Sequence, residues 1–288
     1  MTPARRGPPH RAGGTTPRPR QDRGKPTPRG LGGEQVEGRH AVAELLAANR
    51  RRVIDVWLDS NSEPAPILDR ITELAMRRRV ALRRVTRVRL EAEARTEAPQ
   101  GVLAHAEALR EAELDDLLKI RGGANEAAPF VLALDGVTDP RNLGALLRTA
   151  DGAGVTGAFM GQHRAVHITP AVTKAAAGAV EHVPMALVPG VPSALARATE
   201  KALWVVGLDP DGDQSLFDLQ VADQPIVMVL GAEGKGLARL VRKRCDAVVR
   251  IPQTGALQAL NVSAAGAIAM FEVARRRIGT VKPLTSRP

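Results

Sequence analysis

Between residues 129 and 280 short apolar runs alternate with stretches of helical periodicity, and no other feature narrows the fold as far. The runs at 130–134, 157–160, 183–188, 203–207, 226–230 and 247–251 are expected strands. The stretches at 141–153, 170–177, 191–201 and 237–244 are expected helices. Strand, helix, strand in repetition is the unit of a mostly parallel sheet covered by helices, so the predicted class is α/β. After the last strand, Pro252 and Gly255 break regular structure, and Asn261 stands where a helix would be capped. The helix that follows is apolar and rich in Ala and Gly, so another backbone can approach it closely.

The rest of the chain divides by composition. Residues 1–34 carry eight Lys and Arg against Asp22 and Glu34, a net +6 of the total +10, with dense Pro and Gly. Such a segment cannot bury a core and is expected to be a disordered basic tail. Residues 35–107 read as a small α/β domain, with helices at 38–49 and 64–79 and strands at 53–58, 80–85 and 101–106. Arg50, Arg51, Arg52, Arg77, Arg78, Arg79, Arg83, Arg84, Arg87 and Arg89 concentrate there, which favours phosphate binding over a merely solvated face. A helix is expected at 111–120, inside a linker at 108–128. The domain at 129–280 follows, and 281–288 is a short tail.

Composition excludes several functions. Aromatic residues make up 2% and Tyr is missing, which speaks against a row of bases stacked on aromatic rings as the binding mode. Cys245 is the single cysteine, so no internal disulfide forms and a reducing compartment fits. No run is long enough to span a bilayer, and the first residues lack the apolar centre of a secretory signal. A cytoplasmic protein with a polyanionic partner is expected.

Three loops leave the carboxyl ends of expected strands, where open α/β sheets bind ligands. The first is Asp135-Gly136-Val137-Thr138-Asp139-Pro140-Arg141-Asn142-Leu143-Gly144, leading to Arg148 on the following helix. The second is Gly231-Ala232-Glu233-Gly234-Lys235-Gly236. It is not a phosphate loop, because Gly236 follows Lys235 where Ser or Thr is needed. The third runs from Ile251 to Ser263. Any one of these loops occurs in ordinary α/β domains; the convergence of three carries the argument. Metal readings are weak. Asp209, Asp211 and Asp213 mimic the start of a calcium loop, but Gln214 and Gln220 stand at its Gly and Glu positions. His163 and His167 have no second ligand cluster.

Asp139-Pro140-Arg141-Asn142-Leu143-Gly144 through Arg148, then Leu230-Gly231-Ala232-Glu233-Gly234, then Leu260-Asn261-Val262-Ser263, resemble the three motifs of the SpoU (TrmH) class of RNA ribose methyltransferases. Val36-Glu37-Gly38-Arg39-His40-Ala41-Val42 resembles the start of that class's small, ribosomal-protein-like RNA-binding domain. The resemblance implies a carboxyl-terminal trefoil knot, S-adenosylmethionine as cofactor and a homodimer. It implies that backbone groups at Gly231, Ile251 and Leu260 hold the cofactor, and that Asn142, Arg148, Glu233 and Asn261 shape the catalytic end. The implied substrate is 23S ribosomal RNA, methylated on a ribose 2'-hydroxyl of a guanosine. Transfer RNA or resistance-conferring ribosomal RNA methylation stays as an alternative, as does a non-catalytic ribosome-assembly role. Ala259 stands where the class commonly has Ser, which removes one hydroxyl from the third loop.

Overall fold

A computed structural model of the chain describes residues 30–120, 128–162, 167–255 and 260–280. The smaller unit begins with β1 (Gln35–Glu37), α1 (Arg39–Ala48), β2 (Val53–Asp59), α2 (Pro66–Arg77) and β3 (Ala81–Val85). It closes with α3 (Arg87–Glu93) and β4 (Val102–Ala106). The strand order is β1-β4-β2-β3, with β2 and β3 parallel and the other pairs antiparallel. Val42, Leu45 and Leu46 of α1 and Ile71 and Ala75 of α2 meet Val36, Val56, Val102 and Ala104 on one face of this sheet. The other face is covered by α3, which sequence periodicity did not reveal. It is short, starts at the Thr86 cap, and inserts only Leu90 against Val85 and Leu103.

The larger unit runs from α4 (Leu114–Leu117) and β5 (Phe130–Leu134) through α5 (Pro140–Gly152), β6 (Gly157–Gly161), α6 (Pro170–Ala175) and β7 (Met185–Val188). It continues with α7 (Val191–Glu200), β8 (Trp204–Leu208), β9 (Gln214–Ser215) and β10 (Ile226–Leu230), then α8 (Arg239–Arg242), β11 (Ala247–Arg250) and α9 (Val262–Thr280). Its sheet is seven-stranded and parallel throughout, in the order β7-β6-β5-β10-β8-β11-β9. Side chains alternate across a strand. Phe130, Leu132 and Leu134, with Ile226, Met228 and Leu230, therefore enter the core under α5, α6 and α9. Val131, Ala133, Val227 and Val229 enter the second core, under α4, α7 and α8. Burial on both faces explains why these strands read as unbroken apolar runs.

Connections reverse at the β5–β10 boundary: the chain steps from β5 outwards to β6 and β7, while β8, β11 and β9 lie on the other side. Such a switch point opens a crevice at the carboxyl ends of the strands. Here α9 returns from β11 to lie on β10 and α5. Gly266 makes that approach possible, because a Cβ there would stand 2.4 Å from Leu146 and 2.7 Å from Leu230.

Three sequence expectations change. The basic tail is shorter than 34 residues at its ordered end: Leu31 is buried in the larger core and Gly32 pairs with Ile168. The remainder of the tail, 1–29, lies outside the described residues, as do 121–127 of the expected linker and the 281–288 tail. The expected helix at 111–120 is only the single turn α4. The segment before it runs extended along β7, where the Ala112 amide donates to the Met185 carbonyl at 2.8 Å, and Leu118 is fully buried. Hence 108–120 is part of the larger unit rather than a free connection. Lastly, Arg51 does not serve the surface. It lies with Glu181 between the two units, at 2.5 Å, both side chains almost fully buried.

Candidate active site

Each of the three loops is set by its own local chemistry. Asp139 caps α5, its Oδ1 accepting from the amides of Arg141 at 2.6 Å and Asn142 at 3.2 Å, with Pro140 preorganised in the first turn. That cap fixes Asn142 at the helix start. The second loop closes on itself. The amides of Ala232 and Gly236 donate to each other's carbonyls, at 3.1 and 3.0 Å. Gly234 and Gly236 adopt φ of 73° and 61°, where a side chain is strained. A Cβ on Gly231 would collide with the Gly236 carbonyl at 2.3 Å, so the turn needs glycine there. In the third loop, Asn261 caps α9: its Oδ1 accepts from the Ser263 amide at 2.9 Å and from the Ser263 hydroxyl at 2.6 Å.

The loops converge on one triangle of side chains. Asn142 Nδ2 donates to Glu233 Oε2 at 3.0 Å, Asn261 Nδ2 donates to Glu233 Oε1 at 3.2 Å, and Asn261 Nδ2 also donates to Asn142 Oδ1 at 3.1 Å. Glu233 can only accept when ionised, so it orients both amides with their NH2 groups towards itself. Residues 119 and 91 positions apart are thereby held in one polar constellation at the surface of the domain. Arg148 is not part of it. It is exposed on α5, and among the described residues its side chain makes no hydrogen bond or ion pair. Six positions along a helix rotate a side chain by about 240° from Asn142, which accounts for the separation.

Beside the triangle is a cavity of about 160 Å³, lined by Leu208, Gly231, Glu233, Ile251, Leu260 and Val262 among others. All three backbone positions expected to hold a cofactor are in its wall. Outside strands and helices, no backbone hydrogen bond among the described residues engages Gly231, Ile251 or Leu260. A largely apolar cavity with backbone groups turned to it and two carboxylates in its lining, Asp209 and Glu233, fits a flat heterocycle carrying a cationic centre. Ala259 and Gln258 lie outside the described residues.

Two carboxylates that hold this scaffold were not singled out for that role. Asp209, read as part of a false calcium loop, is 7% exposed. Its Oδ2 accepts from the Leu237 amide at 3.2 Å, and its Oδ1 pairs with Arg242 at 3.1 Å. It therefore pins the second loop to the end of β8. Asp135 Oδ2 accepts from the Ala238 amide at 2.9 Å and pins the same loop to the end of β5. Their only sequence signal was position directly after a buried strand. Among the described residues no group of three His, Cys, Asp or Glu is placed to hold a metal, and His163 lies outside them. Cys245 is half-buried beneath the site; burial, with Asp246 nearby, pushes its thiol up to about 12, so it is no nucleophile at neutral pH.

A parallel sheet with a switch-point cavity, an amide–carboxylate triangle at its mouth and a small second domain make up a two-domain α/β enzyme architecture. Comparison with known proteins makes the class specific. Residues 129–271 match the SpoU rRNA Methylase family, and 35–112 match the family described as RNA 2'-O ribose methyltransferase substrate binding. The 23S rRNA (guanosine-2'-O-)-methyltransferase RlmB of Pseudomonas putida is 38% identical over 85% of this chain and 97% of its own length. The putative TrmH family tRNA/rRNA methyltransferase YacO of Bacillus subtilis is 37% identical over 85% of this chain and 96% of its own. Among solved structures, the SpoU methyltransferase AviRb of Streptomyces viridochromogenes, in complex with AdoMet, superposes with a TM-score of 0.70. It is 26% identical and covers 85% of this chain and 90% of its own. The chain belongs to the SpoU rRNA methylase family.

Proposed function

We propose that this protein transfers the methyl group of S-adenosylmethionine to the ribose 2'-hydroxyl of a guanosine in 23S ribosomal RNA, acting in the cytoplasm. The observation that carries the reading is the Asn142–Glu233–Asn261 triangle at the mouth of the cavity, where one small ligand and one hydroxyl can meet. The names of the RlmB relatives supply the RNA and the nucleoside. The bound cofactor supplies an electrophilic methyl on a sulfonium, a leaving group that needs little assistance. The chain's tasks are therefore alignment and proton removal. Backbone groups of Gly231, Ile251 and Leu260, all in the cavity wall, would hold the cofactor, and Glu233 would balance its cationic charge. Asn142 and Asn261 fix Glu233, whose remaining lone pairs accept the attacking hydroxyl. Arg148, outside the triangle and free in solvent, grips an RNA phosphate. A guanidinium carries its proton permanently and has no acceptor to offer, so its role is positioning.

The small domain, 35–107, serves as the RNA-binding module, assisted by the basic tail. Its usable cations are fewer than its arginines. Arg50, Arg51, Arg77, Arg78, Arg83 and Arg87 are engaged with internal partners. Arg52, Arg79 and Arg84 are exposed and left for phosphate, while Arg89 lies over the Trp57 ring at 5.3 Å. The path of α9 back over β10 and α5 supports the trefoil knot that the family resemblance implies. On its outer side α9 exposes Ile268, Phe271 and Ile278, the last at 70%, on one stripe. That stripe supports a homodimer through the larger domain.

The test is methylation of unmodified 23S RNA and of transfer RNA with labelled cofactor. The expected result is label at one guanosine of 23S RNA, with the bond 3' to it made resistant to alkali. Label confined to transfer RNA, or none, ends the reading. The oligomer is tested separately by light scattering, where Phe271→Arg is expected to halve the mass.

A further inference from the structure

A second cleft, of about 460 Å³, opens at the carboxyl ends of β5, β6 and β7. This volume is within the roughly 300–1,000 Å³ typical of sites for small organic groups. None of its lining residues belongs to the cofactor cavity or the triangle. Its walls are apolar, with Val137, Met160, Pro192 and Leu240 among them. Leu240 is 65% exposed at its lip, an apolar side chain offered to solvent between Arg239 and Arg242 while Val241 turns inwards. The cleft is adjacent to the reacting centre. Gly136 in its wall lies against Ala232, a Cβ there standing 3.4 Å away, and Ala232 precedes Glu233. The β5–α5 loop that walls it also carries Asp139, the cap that fixes Asn142.

The cleft holds one carboxylate, Asp135, and at its rim one cation, Arg239. Asp135 uses Oδ2 on the Ala238 amide, which leaves acceptor capacity on both oxygens. An ionised carboxylate offers acceptors only and pairs best with two parallel N–H donors. Among the four RNA bases, only guanine carries two adjacent donors, N1–H and the N2 amino group, on its pairing edge. An unpaired base turned out of its stack can present that edge. We infer that this cleft receives the base of the target nucleotide, with Asp135 reading guanine while the ribose lies over the triangle. Arg239 meets the neighbouring phosphate. The inference rests on the methyltransferase reading above and adds to it the residue that selects the base.

The test needs the methylated nucleotide mapped first, then RNA carrying inosine at that position. Inosine keeps N1–H and lacks the N2 amino group. The full chain is expected to methylate it with kcat/KM lower by about tenfold to a hundredfold, the worth of one hydrogen bond to a charged group. In Asp135→Asn the remaining amide oxygen still accepts from the Ala238 amide, so the loop stays in place, checked by unchanged cofactor affinity in calorimetry. This variant is expected to lose rate on guanosine and to treat guanosine and inosine within about threefold of each other. Equal wild-type rates on the two RNAs overturn the inference alone, as does an Asp135→Asn enzyme that keeps the wild-type preference. A wild-type protein that methylates no RNA removes the methyltransferase reading, and the inference with it.

Discussion

At the scale of single residues, the site depends on one carboxylate receiving from two amides. Glu233→Gln keeps the shape and replaces an acceptor by a donor, so an NH2 group faces Asn142 or Asn261. One of the two amides then loses its acceptor, and the acceptor for the attacking hydroxyl loses its charge. Turnover is expected to fall by about a hundredfold or more, in the range of positioned acid–base groups. Cofactor affinity by calorimetry is expected to change only a few-fold, because the backbone and apolar positions of the cavity wall are untouched and Asp209 keeps a second carboxylate in it. Arg148→Ala is expected to abolish methyl transfer while cofactor binding survives. Wild-type turnover in Glu233→Gln would remove the triangle from the mechanism. The triangle was legible in the sequence because each corner sits beside a loop signature: Pro after an acidic cap, a run of glycines, an Asn before an apolar helix. Asp209 was not legible, because its value comes from the amide of Leu237, 28 positions away, and only the fold brings that to it.

At the scale of elements, α5 shows packing overriding propensity. Gly144 lies mid-helix, where alanine would favour the helix by about 1 kcal/mol. A Cβ there would stand 2.5 Å from the Ala175 side chain and 2.8 Å from the Val172 carbonyl, so α5 and α6 must separate. Overpacking of this kind costs about 1–3 kcal/mol, and Gly144→Ala is expected to lower Tm by several degrees in calorimetry. A raised Tm would show that α6 yields freely. In α9, Glu272 is buried at the turn where Arg275 and Arg276 reach back to it at 2.8 and 2.7 Å. The hydrogen bond from Arg275, then that from Arg276, pulls its carboxyl from an ordinary 4.5 to about 2. A depressed carboxylate stabilises the fold above its unfolded value and loses that contribution as pH falls through the folded one. The stabilisation is thus expected to be complete above about pH 5 and to fade towards pH 2. Glu272→Gln should flatten that limb of an acid-unfolding curve and lower stability at pH 7 by about 1 kcal/mol, since Arg275 is solvent-screened. The long elements were legible from their period, whereas α3 and the extended run before α4 were not. Seven residues around Leu90 hold too short a pattern, and the run before α4 is held at the edge of β7 by the bond from the Ala112 amide to the Met185 carbonyl, a partner that only the fold brings to it.

At the scale of the whole molecule, the small domain is fastened to the larger one by a buried ion pair. Arg51 donates from Nε to Glu181 Oε2 at 3.0 Å and from Nη2 to Glu181 Oε1 at 2.5 Å, while Nη1 reaches the carbonyls of Gly33 and Glu107. Arginine's planar fork meets the carboxylate with both arms and still caps two carbonyls of the connecting chain. The charge run in the sequence suggested RNA binding for this arginine; burial between the domains was invisible without knowing where Glu181 lies. The pair ties the small domain to the larger one on the side of Glu181, and the orientation it sets is expected to matter for RNA binding. Removing one partner leaves the other charged and buried, which costs about 3–5 kcal/mol, whereas an apolar pair of similar volume is often neutral. Arg51→Met is therefore expected to destabilise strongly in urea unfolding, and Arg51→Met with Glu181→Leu to recover much of the loss. In methylation of 23S RNA the double variant is expected to fold and bind cofactor, yet show a raised KM for RNA with kcat nearly kept, because the domains no longer hold one orientation. Additive losses in the unfolding cycle would show that the two charges do not act as a pair. An unchanged KM in the folded double variant would show that the orientation they set is not the one RNA uses.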